Sequence, residues 1–523
     1  MKRKIAMLMA LMMAASLFSG CGGEKDTGVQ SGTAFEVGDT GGLTLPLDDS
    51  NTKISMMVVS SKDGINDKLV FQKLREITGL DIEVMAFPNA TAGEKLKVLM
   101  ASKNMPDLMG SGLPTYDEIN DLGVQGAFAS VNDHLDIMPN FKSIFYDDPQ
   151  YNWIFKSYQA SDGKLYIMPW FDVQRDVNHG MMYRKDIFDK NGLKEWNNTQ
   201  EFYEAMKKLK QIYPESTPFT SKNKDNLFSQ LSISWGISAY GPYYDEDQKV
   251  WNYSDTDPQL KDMLDFLRKM YQEGLIDPEF LTLTEAAWTS KMTQPEKAFA
   301  TFDWIGRLDT FKEQTATTYP DYDLRYANPM GPKGTAITLS KTFAGSVVAN
   351  NKNTELACKL NDFLLSPAGA QLVTMGVEGE TYTMGEDGKA DYIGFEEGKK
   401  IGIGDLEDKY GLFTEGLYRR FDRRSNYFDF SEREQEAQDK IVKNNKFEPQ
   451  DPILSFTNEE KEITTDRTAK LRKAAQEFFS NYVLGANTGD QAWAQWCEKA
   501  KSLGCEDVVK VYNDAQKRFD AQQ

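Results

Sequence analysis

From residue 52 onward the apolar positions follow two alternating rhythms. KISMMVVS (53–60) and DIEVMAF (81–87) are short apolar runs of strand length. LVFQKLREITGL (69–80) and AGEKLKVLMASKN (92–104) instead place apolar residues at helical spacing, and PDLMGSG (106–112) reads as a strand running into a glycine turn. Strand, helix, strand, helix, strand is the order of a parallel sheet covered by helices, so the fold class is α/β. Ligands of such sheets sit beyond the carboxyl ends of the strands. That rule puts Ser60, Ser61, Asp107 and Ser111 near a cleft.

The alternation continues. SDGKLYIMPW (161–170) is a turn and a strand, NTQEFYEAMKKLKQI (198–212) a helix with Asn198 or Thr199 as its N-cap, and DPQLKDMLDFLRKMYQEGL (257–275) a long helix. Pro258 stands at the start of that helix and Gly274 at its stop. KAFATFDWIGRLDTF (297–311) reads as strand, turn and helix start, TFAGSVVANN (342–351) as a strand, and 353–366 as a helix. The last hundred residues are mostly helical, over 431–443, 457–484 and 488–521.

The amino-terminal region has a different character. Lys2, Arg3 and Lys4 precede an apolar run from Ile5 to Phe18, then Ser19, Gly20 and Cys21. The run is too short to span a bilayer comfortably and fits a secretory signal. A cysteine after small residues resembles the lipobox of bacterial lipoproteins, whose thiol carries a diacylglyceryl group, although Phe18 stands at −3 where leucine is usual. The segment after Cys21 is rich in Gly, Thr, Ser and acids and predicts a flexible tether over 21–51.

The formal charge of −19 removes nucleic acid as a partner, because phosphates require clustered Lys and Arg. Membrane contact is expected through the lipid alone. Four cysteines, one of them Cys21, supply no disulfide framework, and with two histidines there is little from which to build zinc or Ser-His-Asp chemistry. No G-x-S-x-G, H-E-x-x-H, P-loop or dinucleotide fingerprint stands in the chain. The 79 acidic residues make any carboxylate pair unremarkable as a glycosidase signal. DEDQ (245–248) and DTDPQ (255–259) are acidic turns short of an EF-hand. Catalysis, cofactor and metal are not expected.

The ordered set DGKLYIMPW, MMYRKDIFDKNGL, NTQEFYEAMKKLK, DEDQKVWNYSDTDPQLKDMLDFLRKMYQEGLIDPEF, FATFDWIGRL and SVVANNKNTELACKLNDFLLSPAGAQLV resembles the sugar class of extracellular solute-binding proteins, the superfamily of maltodextrin-binding proteins. GVEGETYTMGEDGKADY (376–392) and the helical tail resemble a large lipid-anchored subgroup of Firmicutes importers. The resemblance implies a periplasmic-binding-protein-like pair of α/β lobes around a hinge and cleft, with a helical C-terminal extension. It implies lobe 1 from 52–169 and 343–390, and lobe 2 from 170–342 and 391–523. The crossings are expected near Met168–Asp176, near Phe343–Asn351 and after the Tyr382 region. The implied partners are an oligosaccharide and ABC permease subunits, with the protein a monomer.

Sugars are held by aromatic faces and by planar polar groups that pair with hydroxyls. Nine Trp and 23 Tyr stock the chain well, though most aromatics belong to the core. The candidates are Trp170 with Asp172 and Arg175 beside the first crossing, and Trp304 with Asp303 and Arg307 at a strand-to-helix turn. Trp235, Trp288, Asp107 and Tyr382 complete the set, Tyr382 more as a hinge residue. Trp493 and Trp496 have helical spacing and read as core. The alternatives are a receptor for peptides or other polar solutes, and a surface glycan hydrolase or adhesin.

Overall fold

The computed structural model describes residues 37–521 apart from 103, 397, 399 and 486. The expected signal peptide, Cys21 and the first part of the tether lie outside the described residues. The rest of the expected tether is a correction: residues 37–51 are held on the body. Leu47 and Asp48 donate their N–H groups to the Thr78 carbonyl (2.8 and 3.3 Å), and the Asp39 carbonyl accepts from Ala368 (2.8 Å). Polar composition suggested a tether, but backbone hydrogen bonds serve as well as side-chain burial to fix a strap of this kind.

The strands β1 (Lys53–Val59), β2 (Asp81–Phe87) and β3 (Leu108–Met109) alternate with the helices Leu69–Thr78 and Asn89–Ala101, followed later by β4 (Met168–Phe171). The chain then crosses to a second body containing β5 (His179–Arg184), the hairpin β6 (Pro242–Asp245) and β7 (Val250–Tyr253), β8 (Ala300–Trp304) and β9 (Leu324–Tyr326). It returns as β10 (Thr342–Val348). The lobe 1 sheet runs β2-β1-β3-β10-β4, and the lobe 2 sheet β8-β5-β9. β1 is parallel to β2 and β3, while β10 is antiparallel to β3 and β4. The fold is the expected α/β pair of lobes.

Local chemistry explains the long elements. In the helix Pro258–Gln272, Asp257 accepts the Gln259 N–H at the N-cap and Pro258 opens the first turn, while Leu260, Met263, Leu264, Leu267 and Met270 form one buried stripe. Asn198 caps the helix Thr199–Ile212. The tail forms the helices Asn458–Leu484, Gly489–Ser502 and Cys505–Asp520. They place Leu471, Phe479, Trp496 and Val508 in the same core as Leu260 and Leu264, so the tail belongs to lobe 2. Trp496 stacks on Phe478 at 4.9 Å, as its spacing implied. Cys358, Cys497 and Cys505 are free thiols.

The third crossing lies later than expected. Residues 391–423 remain with lobe 1: the Glu415 carbonyl accepts from Val59, the Val373 carbonyl from Phe413, and the Arg419 carbonyl from Phe171. Only near residue 431 does the chain join lobe 2, where the Gln438 side chain brackets the Val177 backbone (2.9 and 2.7 Å). The boundary at 390–391 is thereby moved some forty residues on. Tyr382 is buried and accepts a hydrogen bond from Gln371 (2.9 Å) within lobe 1, so it does not mark a crossing.

Asp255, in the acidic turn before the helix Pro258–Gln272, is fully buried. One carboxyl oxygen accepts from the Tyr240 N–H (2.7 Å), and the other has no partner among the described residues. Burial pushes its pKa from 3.8 up to about 7. The folded protein therefore keeps a proton that the unfolded chain releases across that window, so this group's contribution falls as pH rises from about 4 to about 7 and is level above. The full effect is on the order of 4 kcal/mol. Urea unfolding of wild type and Asp255→Asn at the two ends of the window should show the variant gaining, relative to wild type, at the higher pH.

Candidate ligand-binding cleft

The carboxyl ends of β1, β3 and β4 and the amino end of β10 share one edge of lobe 1. In lobe 2, His179 pairs with Trp304, and the carboxyl end of β9 lies at that same edge. The first crossing joins Phe171 to His179 and the second joins Tyr326 to Thr342, so both leave from these edges. The two edges therefore meet at the hinge, the position that the strand-end rule assigns to a ligand.

On lobe 1 this edge encloses a cavity of about 580 Å³ lined by Ser111, Tyr116, Trp170, Phe343, Glu415 and Tyr418, among others. Trp170 packs edge-on to Tyr418 (4.9 Å between ring centroids) and is tilted against Phe343 at 6.3 Å. Trp170 is only 2% exposed, so it is a wall of the cavity rather than a free-standing platform, and its indole N–H has no partner among the described residues. Phe343 (52% exposed) and Tyr116 are the open aromatics. Ser111 donates to the Glu415 carboxylate. The cavity depends on a close backbone crossing, since a Cβ on Gly110 would lie 1.9 Å from the Gly416 carbonyl oxygen.

On lobe 2, Trp304 is 41% exposed at the end of β8, with its indole lying against Gly306, where a Cβ would be 2.2 Å from the ring. Beneath it Asp303 is buried and bonded to Arg307 (2.9 Å), with Lys222 3.5 Å away, and Glu285 pairs with Lys222 (3.3 Å) and Arg307. Burial holds the neighbouring His179 imidazole below its ordinary pKa; the Asp303 charge opposes that and Lys222 adds to it.

Several candidates turn inward instead. Trp288 is fully buried, donates to Thr301 (3.0 Å), and carries Lys222 and Arg307 over its ring at 4.9 and 5.3 Å. Trp235 is core, tilted against Phe266. Asp107 accepts from Ser55, Asn351 and Asn353, fastening β1 to the loop after β10. Arg175 is bound to Glu434 (3.1 Å) and stacked on Tyr427 and Phe430. Asp172, at φ +54°, belongs to a four-charge hinge cluster: Lys341 bridges it and Asp176 (2.9 and 2.6 Å), and Arg423 bonds to both. Burial alone would raise the Asp172 carboxyl, but the Arg423 hydrogen bonds and the Lys341 charge outweigh it and hold the pKa below the usual carboxylate range.

The residues not anticipated were Phe343, Glu415, Tyr418, Tyr116, His179 and Lys222. The GSG turn and EGLY (415–418) were the available signal for lobe 1: glycines in two distant segments that meet. A larger crevice of about 630 Å³ is lined by Tyr151 and Trp153, by Asp176, Leu339 and Lys341 of the first two crossings, and by residues 447–450. Tyr151 packs on Phe171, which stands on the face of β4 opposite Trp170, so this crevice and the Trp170 cavity flank the hinge on the two faces of β4.

Residues 70–380 match the family described as bacterial extracellular solute-binding protein. The chain belongs to that family. It is 21% identical over 398 residues to Lipoprotein LipO of Bacillus subtilis (strain 168), covering 72% of this chain and 73% of that protein. The fold is similar to an HMO-binding, ABC-transporter-associated solute-binding protein of Bifidobacterium longum infantis (TM-score 0.65, 18% identity, 90% of this chain and 99% of that one). It is similar also to the alginate-binding protein AlgQ2 without calcium ion (TM-score 0.62, 23% identity, 91% and 99%). In the present chain the carboxylates of the acidic turn 245–248 have local partners: Asp245 accepts from the Asp247 and Gln248 N–H groups, and Glu246 pairs with Lys249. No helix among the described residues is long and apolar enough to cross a membrane.

Proposed function

We propose that this solute-binding protein captures an oligosaccharide between its lobes and delivers it to an ABC permease. The observation that carries this reading is the aromatic cavity of Trp170, Phe343 and Tyr418, opening at the strand ends from which the first two crossings leave. Aromatic walls take the C–H faces of sugar rings, while Glu415 and Ser111 are set to meet hydroxyls. Closure of the lobes about the three crossings would turn occupancy into a shape that a permease reads. Two relatives support the ligand class by what they are named as binding, HMO and alginate. The sequence signal and the LipO relative support export and anchoring through lipid on Cys21.

The test is a thermal-shift panel of oligosaccharides with chromatography of the sugar recovered afterwards. A rise in Tm with the sugar intact is expected. Cleaved sugar would instead establish a glycan hydrolase, and a response to peptides alone would establish the polar-solute alternative.

A further inference from the structure

The charges along the edges of the two lobes narrow the ligand, given the reading of the cleft as an oligosaccharide site. The lobe 1 cavity has no lysine or arginine among its lining residues, and its one carboxylate is Glu415. The lobe 2 edge carries Lys222 and Arg307, but these close a cycle with Asp303 and Glu285, two cations on two anions. In the hinge, Lys341 and Arg423 are matched by Asp172 and Asp176. Lys62, just past β1, lies 4.0 Å from Asp408. Two further arginines stand close to the cavity wall without serving it. Arg419, buried, donates to Asn361 on the helix Thr354–Leu365 and does not line the cavity. Arg420 lies over Phe171, on the face of β4 opposite Trp170.

We propose that the cleft takes an uncharged oligosaccharide and discriminates against uronate-bearing or otherwise anionic glycans, with Glu415 as the discriminating group. A sugar carboxylate in the lobe 1 cavity would face Glu415 without a cation to receive it. Burying a charge unpaired costs more than aromatic contact returns. On lobe 2 it would have to break an internal ion pair to find a partner. A neutral sugar meets neither cost: its hydroxyls donate to Glu415. Fold likeness to an alginate-binding protein does not oppose this, because ligand identity lives in the site and not in the fold.

The experiment is isothermal titration of the full chain with neutral fructo-, manno- and gluco-oligosaccharides and with alginate oligomers of matched length, at low and high salt. The expected result is that at least one neutral series binds at least about ten-fold more tightly than the uronates. Its affinity should change little with salt, because no ion pair is formed. Glu415→Gln, close in shape and still able to accept from Ser111, should improve alginate binding relative to the neutral sugar. Alginate binding as tightly as the best neutral sugar, or an unchanged ratio in Glu415→Gln, would overturn the inference while leaving the oligosaccharide reading intact. Binding by neither series would remove the oligosaccharide reading itself.

Discussion

Replacing Asp172 with alanine is expected to destabilise the protein by about 2–3 kcal/mol, below the cost of breaking a fully buried ion pair because Lys341 and Arg423 are each more than a third exposed. Asp172 is 8% exposed and holds Lys341 and Arg423 together with Asp176. Those four residues come from the first crossing, the second crossing and the segment leading into the third. Without Asp172 both cations depend on Asp176 alone. Alanine adds a second cost, because φ is +54° here and a Cβ with no local hydrogen bonding resists the left-handed region by about 1–2 kcal/mol. Asp172→Asn isolates the first cost: asparagine tolerates that φ, so its loss should be smaller than that of alanine by about 1 kcal/mol. Urea unfolding measures both variants. The cluster also joins all three crossings, so small-angle scattering of the unliganded Asp172→Asn protein should show a broader spread of interlobe distances than wild type. Equal unfolding midpoints for wild type and Asp172→Ala would mean that solvent already screens the cluster.

The sequence made the alternation of strand and helix legible because it is local: Gly79 stops the first helix with φ +70°, Asn198 and Asp257 cap theirs, and periodicity marks the buried stripes. The site was legible only in part, for a physical reason. An aromatic beside an acid and an arginine reads the same whether the trio faces solvent or its own neighbours. Asp172 and Arg175 looked available because their partners, Arg423 and Glu434, lie some 250 residues away in sequence. Trp288 carries no local mark of burial either; it is packed beneath Lys222 and Arg307, the latter nineteen residues on in the sequence. Conversely Phe343, Glu415 and Tyr418 acquire meaning only when β10 and the EGLY segment converge on Trp170. The third crossing was misplaced for the same reason, since it is the contacts of 391–423 with β1 and β4 that keep them in lobe 1.

The two tryptophans of lobe 2 should separate binding from stability. Trp304 is 41% exposed at a strand end, so Trp304→Ala should cost less stability than a core truncation, about 1–2 kcal/mol. If the edge it stands on meets the ligand, the same change should weaken oligosaccharide binding by at least about ten-fold, the loss of one aromatic anchor. Trp288→Ala should do the reverse in order of severity. That ring is fully buried against Phe311, bonded to Thr301 and overlain by two cations, so its loss leaves a cavity and should cost about 3–5 kcal/mol. Any loss of affinity in Trp288→Ala would then follow from the disordering of Lys222 and Arg307 and should accompany the fall in stability. Calorimetric titration with the sugar identified by the panel, beside urea unfolding, reads both quantities. Wild-type affinity in Trp304→Ala would exclude the lobe 2 edge from the site and leave the Trp170, Phe343 and Tyr418 cavity to hold the ligand alone.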